Sequence, residues 1–183
     1  MTRTSIQREA DQSFTFKFTS FAILTLPKAP DIFTFDSRSE AVCAIILEKY
    51  IPDWQVKRGR TWQIALPEDK FADFRVGDTI IEFHPIDLKH EMRPGEFYKF
   101  KRKLHSIDPK YARDYEDSIK EEKCKLYEQK RRDVLDKSIE LQHCRLKVCC
   151  NDEAFANVVS KLIKNRVPAQ EILKEWRQCF QSL

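Results

Sequence analysis

Residues 71–85 read FADFRVGDTIIEFHP, two short runs of β-branched and aromatic residues around Gly77-Asp78. Two-residue loops of this type favour the primed turns that close a β-hairpin. With Gly77 and Asp78 as the loop, Val76 faces Thr79, Arg75 faces Ile80 and Asp73 lies opposite Glu82. Strand side chains alternate between faces. Ala72, Phe74, Val76, Ile81 and Phe83 then share an apolar face, and Asp73, Arg75, Glu82 and His84 share a polar one. Two carboxylates directly opposite each other repel. A divalent cation removes that conflict, because hard cations take carboxylate oxygens as ligands. The competing reading is a half-buried hairpin with a solvated acidic face, and a one-residue slip in register would exchange the two faces.

The same patterning predicts the other elements. Residues 1–13 read as poorly ordered, and 14–35 as one or two short strands broken by Pro27 and Pro30. A helix is predicted over 37–50. Ser37-x-x-Glu40 has the capping-box spacing, and Ala41, Val42, Ile45, Ile46 and Tyr50 form its apolar stripe. Strands over 54–57 and 61–66 flank a basic tip, Lys57-Arg58-Gly59-Arg60. Residues 86–106 read as a basic irregular segment or short helix. Asp108-Pro109 opens a long helix to about residue 140, with Tyr111, Tyr115, Ile119, Leu126, Val134, Leu135 and Ile139 near helical spacing. A short strand over 145–150, a helix over 153–165 capped from Asn151-Asp152, and a last helix from Pro168 to about residue 180 complete the chain. The order α-β-β-β-α-β-α implies an antiparallel meander to which a helical crossover adds one strand, a mixed α/β sheet.

Composition narrows the class. A chain of 183 residues, 42% hydrophobic and 34% charged, suits one globular domain with additions. No apolar run approaches the ~20 residues that span a bilayer. Residues 1–13 have no apolar core, so a secretory signal is not expected and the reading is cytoplasmic. The six cysteines form no CxxC pair, which favours reduced thiols filling core positions over a disulfide framework or zinc site. His143-Cys144 is the one His–Cys neighbour to check. Net charge is only +4. Its distribution is more telling: Arg93, Lys99, Lys101, Arg102, Lys103 and His105 interleave with Phe97, Tyr98 and Phe100, against the single acid Glu96. Basic clusters with aromatics suit phosphate contacts and base stacking, although a solvated basic surface gives the same pattern.

Taken in order, these residues resemble the core of the PD-(D/E)XK nuclease superfamily, nearest to its very-short-patch-repair-like endonuclease branch. Members place a Glu on the first helix, an Asp on the second strand and Glu-x-Lys on the third. Here Glu40, Asp73 and Glu82-Phe83-His84 take those places. Residues 127–131, YEQKR, resemble the branch's helix motif, and 145–163 its last strand and helix. The likeness covers 37–163. It leaves 1–36 as an N-terminal extension, 87–110 as a basic insertion and 164–183 as a C-terminal helix.

The resemblance implies a restriction-endonuclease-like fold and hydrolysis of nucleic-acid phosphodiester bonds, DNA in preference to RNA. It implies Mg²⁺ or Mn²⁺ held by Glu40, Asp73, Glu82 and the carbonyl of Phe83. The chain departs from the pattern at His84, where the family has Lys. Either His84 acts as base, or a lysine from another element takes the role, Lys130 first and Lys89 second, or the site binds without cutting. Asp73, Glu82, His84 and Lys130 are thus the expected catalytic set. Lys57, Arg58, Arg60, Lys99, Lys101, Arg102, Lys103 and Arg131 are the expected nucleic-acid contacts. The alternative is an inactive nucleic-acid-binding or protein-interaction module that keeps the nuclease fold. No membrane partner is expected, and oligomeric state is not legible.

Overall fold

The computed structural model describes residues 37–51, 72–139 and 141–182 in full, and the backbone alone of 4–8, 14–17, 23–26, 32–35 and 54–56. The architecture is mixed α/β: a mixed sheet flanked by helices. Its strands are β5 (Trp54–Val56), β6 (Phe74–Val76), β7 (Thr79–Phe83) and β8 (Arg145–Cys149), in spatial order β5-β6-β7-β8. The first two pairings are antiparallel and β7 with β8 is parallel. The predicted strand over 61–66 and the tip residues Lys57, Arg58 and Arg60 lie outside the described residues.

Hairpin β6–β7 has the register that its turn dictates. Phe74 pairs Ile81, Arg75 pairs Ile80 and Val76 pairs Thr79, as expected, and the ladder ends at Phe74, one residue short of Asp73. Gly77 turns the chain at φ +53°, a conformation glycine adopts without steric cost. The Arg75 Nε–H donates to the Gly77 carbonyl at 2.6 Å and braces the turn.

The sheet carries helices on both faces. Helix α1 (Arg38–Tyr50) begins at Ser37, whose Oγ accepts the Glu40 N–H at 3.1 Å. It is buried at Ala41, Val42, Cys43, Ala44, Ile46 and Leu47, a broader face than the predicted stripe, while Ile45 and Tyr50 are half-buried. With α5 (Asp152–Leu162) and α6 (Ala169–Ser182) it covers Phe74, Ile81 and Phe83, where Phe155, Val159 and Trp176 complete the packing. The opposite face holds Ala72, Ile80 and Leu146 against Val134 and Leu135 of α4 (Pro109–Asp136), with Leu141 and Cys144. Every residue of β7 is therefore buried. This overturns the competing reading of a solvated acidic face: a strand paired in parallel and covered by helices on both sides is buried on both faces and mostly apolar. Glu82 is the exception that sequence patterning read as a polar face. Ala72 packs with Ile80 rather than with Phe74.

Three further expectations change. Residues 86–106 form two helices, α2 (Leu88–Glu91) and α3 (Pro94–Ser106). Helix α4 stops at Asp136 rather than near 140, and Ile139 stands 85% exposed. Cys124 and Cys150 form a disulfide that ties the middle of α4 to the end of β8, in place of the expected thiols. Cys43, Cys144 and Cys149 are buried free thiols, and Cys179 is a partly buried one.

In the N-terminal segment, β1 (Thr4–Arg8), β2 (Phe14–Lys17), β3 (Ile23–Leu26) and β4 (Ile32–Phe35) form an antiparallel sheet of order β3-β2-β1-β4. The stretch expected to be poorly ordered supplies an interior strand of it. No described helix is long and apolar enough to cross a membrane.

Candidate active site

One feature of the packing builds the site. Helix α4 runs back along β7, and two periodicities fall into step. Two residues of strand advance about 6.6 Å, and four residues of helix about 6.0 Å. Ile80, Glu82 and His84 are thereby matched, in turn, by Leu135, Arg131 and Tyr127. Ile80 and Leu135 share one apolar cluster. Arg131 Nη2 donates to Glu82 Oε1 at 2.5 Å. The His84 and Tyr127 rings stack at 3.8 Å between centroids, 4° from parallel. The apolar stripe expected on this helix included Leu126, Val134 and Leu135; the face that meets the strand runs through Tyr127, Arg131 and Leu135.

Glu82 is 2% exposed and Asp73 7%. Asp73 Oδ2 accepts the Phe83 N–H at 2.8 Å, so the Asp73 side chain reaches across to the backbone of the third motif. Glu40 on α1 is also buried, at 8% exposed. Cys43, one turn along α1, has its thiol pushed up by burial, with the charges of Cys149, Asp73 and Glu40 adding to the shift. Trp176 Nε1–H donates to Cys43 Sγ at 3.3 Å and works the other way. Burial, then the nearby Asp73 charge, raises Cys149 to about 12.

Burial is the largest influence on Arg131 and opposes its charge, but Glu82, Tyr127 and Asp73 together outweigh it and hold the guanidinium above its ordinary value. Tyr127 is driven up by burial and by the Glu82 charge, so its hydroxyl stays protonated beside the carboxylate. His84 is fixed from a third side: its Nε2 lies 3.0 Å from Glu91 Oε1 on α2. A carboxylate that orients an imidazole is the arrangement used by general bases and by ligating histidines alike.

The expected residues separate accordingly. Asp73, Glu82, Phe83, His84 and Arg131 are brought together, and Glu40 is buried on α1, where its charge and that of Asp73 both bear on Cys43. Lys130 is exposed, one position past the face that looks at the sheet; the cation at Glu82 is Arg131, which sequence reasoning had placed among the phosphate contacts. Lys89 is exposed beside the cap of α2. Tyr127 and Glu91 were not anticipated as site residues. Lys99, Lys101, Arg102 and Lys103 are exposed along α3, with Tyr98 69% exposed among them. That helix's one acid, Glu96, turns back to accept the Arg93 N–H. His143 Nε2 lies 3.8 Å from Cys144 Sγ, and among the described residues no three His, Cys, Asp or Glu side chains converge as a metal site.

Beyond the carboxyl ends of β7 and β8 opens a cleft of about 730 Å³ lined by Ser39, Phe83, Pro85, Cys150, Asn151 and Trp176. Ligands of α/β sheets bind at this edge. Both signs of charge line it, Arg113 and Lys120 against Asp117, Glu121, Asp152 and Glu153. No protein-family model, curated protein or solved structure matches this chain.

Proposed function

We propose that this protein is a metal-dependent endonuclease of the PD-(D/E)XK type, hydrolysing phosphodiester bonds of nucleic acid, DNA before RNA. The observation that carries the reading is the burial of Asp73 and Glu82 at one hairpin, Asp73 bonded to the N–H of Phe83 next to Glu82, beside Arg131 and an oriented His84. The donor set suits the ion. Mg²⁺ is bound through one or two carboxylates plus substrate phosphate and water, not by an all-protein cage. Asp73 and Glu82 supply two such carboxylates, and Glu40 and the Phe83 carbonyl are the further donors that the resemblance implies. A bound Mg²⁺ or Mn²⁺ would supply Lewis acidity at the scissile phosphate and acidify its water.

The chain's own residues do the rest. The Phe83 amide orients Asp73 and Arg131 orients Glu82. His84, clamped by Tyr127 and Glu91, takes the position of the family's lysine and accepts a proton from the attacking water. Arg131 supplies the fixed positive charge that Lys130, being exposed, does not. The cations of α3 grip phosphates without reading bases.

One observation favours a second reading. Arg131 already neutralises Glu82, as a cation would in a site that binds nucleic acid and no longer cuts. Plasmid and single-stranded DNA incubated with the protein in Mg²⁺, then Mn²⁺, separate the two. Cleavage by the wild type that EDTA, Asp73→Asn and Glu82→Gln each abolish, with circular dichroism unchanged, is the expected result. Binding without cleavage in either metal selects the second reading, and neither binding nor cleavage overturns both.

A further inference from the structure

At the other end of the sheet, about 13 Å along β7 from Phe83 by strand rise, a second cleft of about 580 Å³ opens under the β6–β7 turn. It lies between the end of α1, the start of β8 and the connection from α5 to α6. Its floor is apolar, formed by Ile51, Val76, Ile163 and Val167, and the Tyr50 ring stands at one wall. Its rim is cationic. Arg145, Lys164 and Arg166 are exposed and form no ion pair among the described residues. Lys49, the fourth cation of the described lining, is held by Glu175 at 2.7 Å, and Asp78 is the one acid among the described lining residues.

The segment that presents two of these cations is strained. Lys164 and Asn165 both have φ +56°, a left-handed conformation that non-glycine residues rarely adopt in succession. Ser160, 4% exposed, locks it in place. Its hydroxyl donates to the Val167 carbonyl at 2.7 Å, and its own carbonyl accepts the Asn165 N–H at 2.7 Å. Backbone strain held by a buried hydrogen-bonded anchor is typical of places where a side chain must be presented in one position.

Two guanidinium groups and an ammonium around one opening match a phosphate dianion, because Arg forks pair with two phosphate oxygens at once. An apolar floor with an aromatic wall matches a flat ring. The volume lies within the range of small-ligand sites, about 300–1,000 Å³. We propose that this cleft binds a nucleoside monophosphate, its phosphate among Arg145, Lys164 and Arg166 and its base against Tyr50 and the apolar floor. This site shares no lining residue with the carboxylate site and does not rest on the nuclease reading.

Calorimetry in EDTA, with AMP, adenosine and orthophosphate as probes, tests it. AMP should bind saturably, with adenosine and orthophosphate each at least tenfold weaker. Arg145→Gln with Arg166→Gln should weaken AMP at least tenfold, while Asp73→Asn leaves it unchanged. Lys164→Gly should weaken AMP and raise Tm together, since it removes a cation and the strain. A tetranucleotide tested with and without its 5′-phosphate separates a free nucleotide from a strand end as the source. AMP and phosphorylated tetranucleotide both binding no better than orthophosphate, or binding untouched by the arginine variants, would overturn the proposal. So would loss of binding in Asp73→Asn.

Discussion

At the scale of single residues, the Arg131–Glu82 pair decides the most. Glu82 stands in the middle of a strand covered on both faces, where a carboxylate is costly unless a cation and hydrogen bonds accompany it. Arg131 meets that need with a side chain itself only 11% exposed. Removing one partner of a buried pair costs more than removing both. Arg131→Met is therefore expected to destabilise the protein by about 3 kcal/mol, and Glu82→Gln in the same chain should restore more than half of the loss. Urea denaturation of the two single variants and the double variant measures this. Strictly additive losses would mean that the two side chains do not act as a pair. The place of Glu82 on the hairpin was legible in the sequence, because the Gly77-Asp78 turn fixes the register of the two strands. The role of Arg131 was not. On a helix as densely charged as residues 109–136, a cation reads as solvated until the strand beneath it is known.

At the scale of elements, capping signals carried more information than apolar stripes. Ser37, Asp108 and Asn151 each cap the helix that follows, accepting the N–H of Glu40, Lys110 and Ala154. The end of α4 was misread because the apolar positions continue to Ile139, beyond the point where the helix rests on the sheet. The same helix shows why the disulfide went unseen. Cys124 and Cys150 are 26 residues apart with no spacing signature, and only the return of α4 over β8 makes them neighbours. Most of α4 is exposed, with Val134 and Leu135 its fully buried residues and Tyr127 and Arg131 tied to the sheet beyond them, so the bridge anchors the helix nearer its middle. Closing a loop of this length is worth about 3.5 kcal/mol in the chain-entropy account. Cys124→Ala with Cys150→Ala should therefore lower the urea-unfolding free energy by about 3 kcal/mol. Wild type in dithiothreitol should fall to the same value, and amide exchange should quicken in α4 before it does in β7. Unchanged stability in dithiothreitol would show that the helix is held by its packing alone.

At the scale of the whole molecule, a net charge of +4 conceals its arrangement. Asp73 and Glu82 are buried at the β6–β7 hairpin, while α3 presents Lys99, Lys101, Arg102 and Lys103 to solvent with its only acid folded back as a cap. The mixed sheet and its helical crossover were legible from the order of periodic segments. The burial of both its faces was not, because one acid in TIIEF made an interior strand look amphipathic. Function at this scale depends on whether the field of α3 serves a polyanion. Each phosphate neutralised on duplex DNA contributes about 0.9 to the slope of log K against log salt. Replacing the four α3 cations by Gln should then flatten the slope by up to about 3.6. Fluorescence anisotropy of a labelled duplex, read between 50 and 200 mM KCl in EDTA on the Asp73→Asn background, isolates this term from cleavage, with the KCl range set by the usual span of such titrations, about fourfold in salt. An unaltered slope would place the phosphate contacts elsewhere on the molecule and leave α3 as a solvated surface.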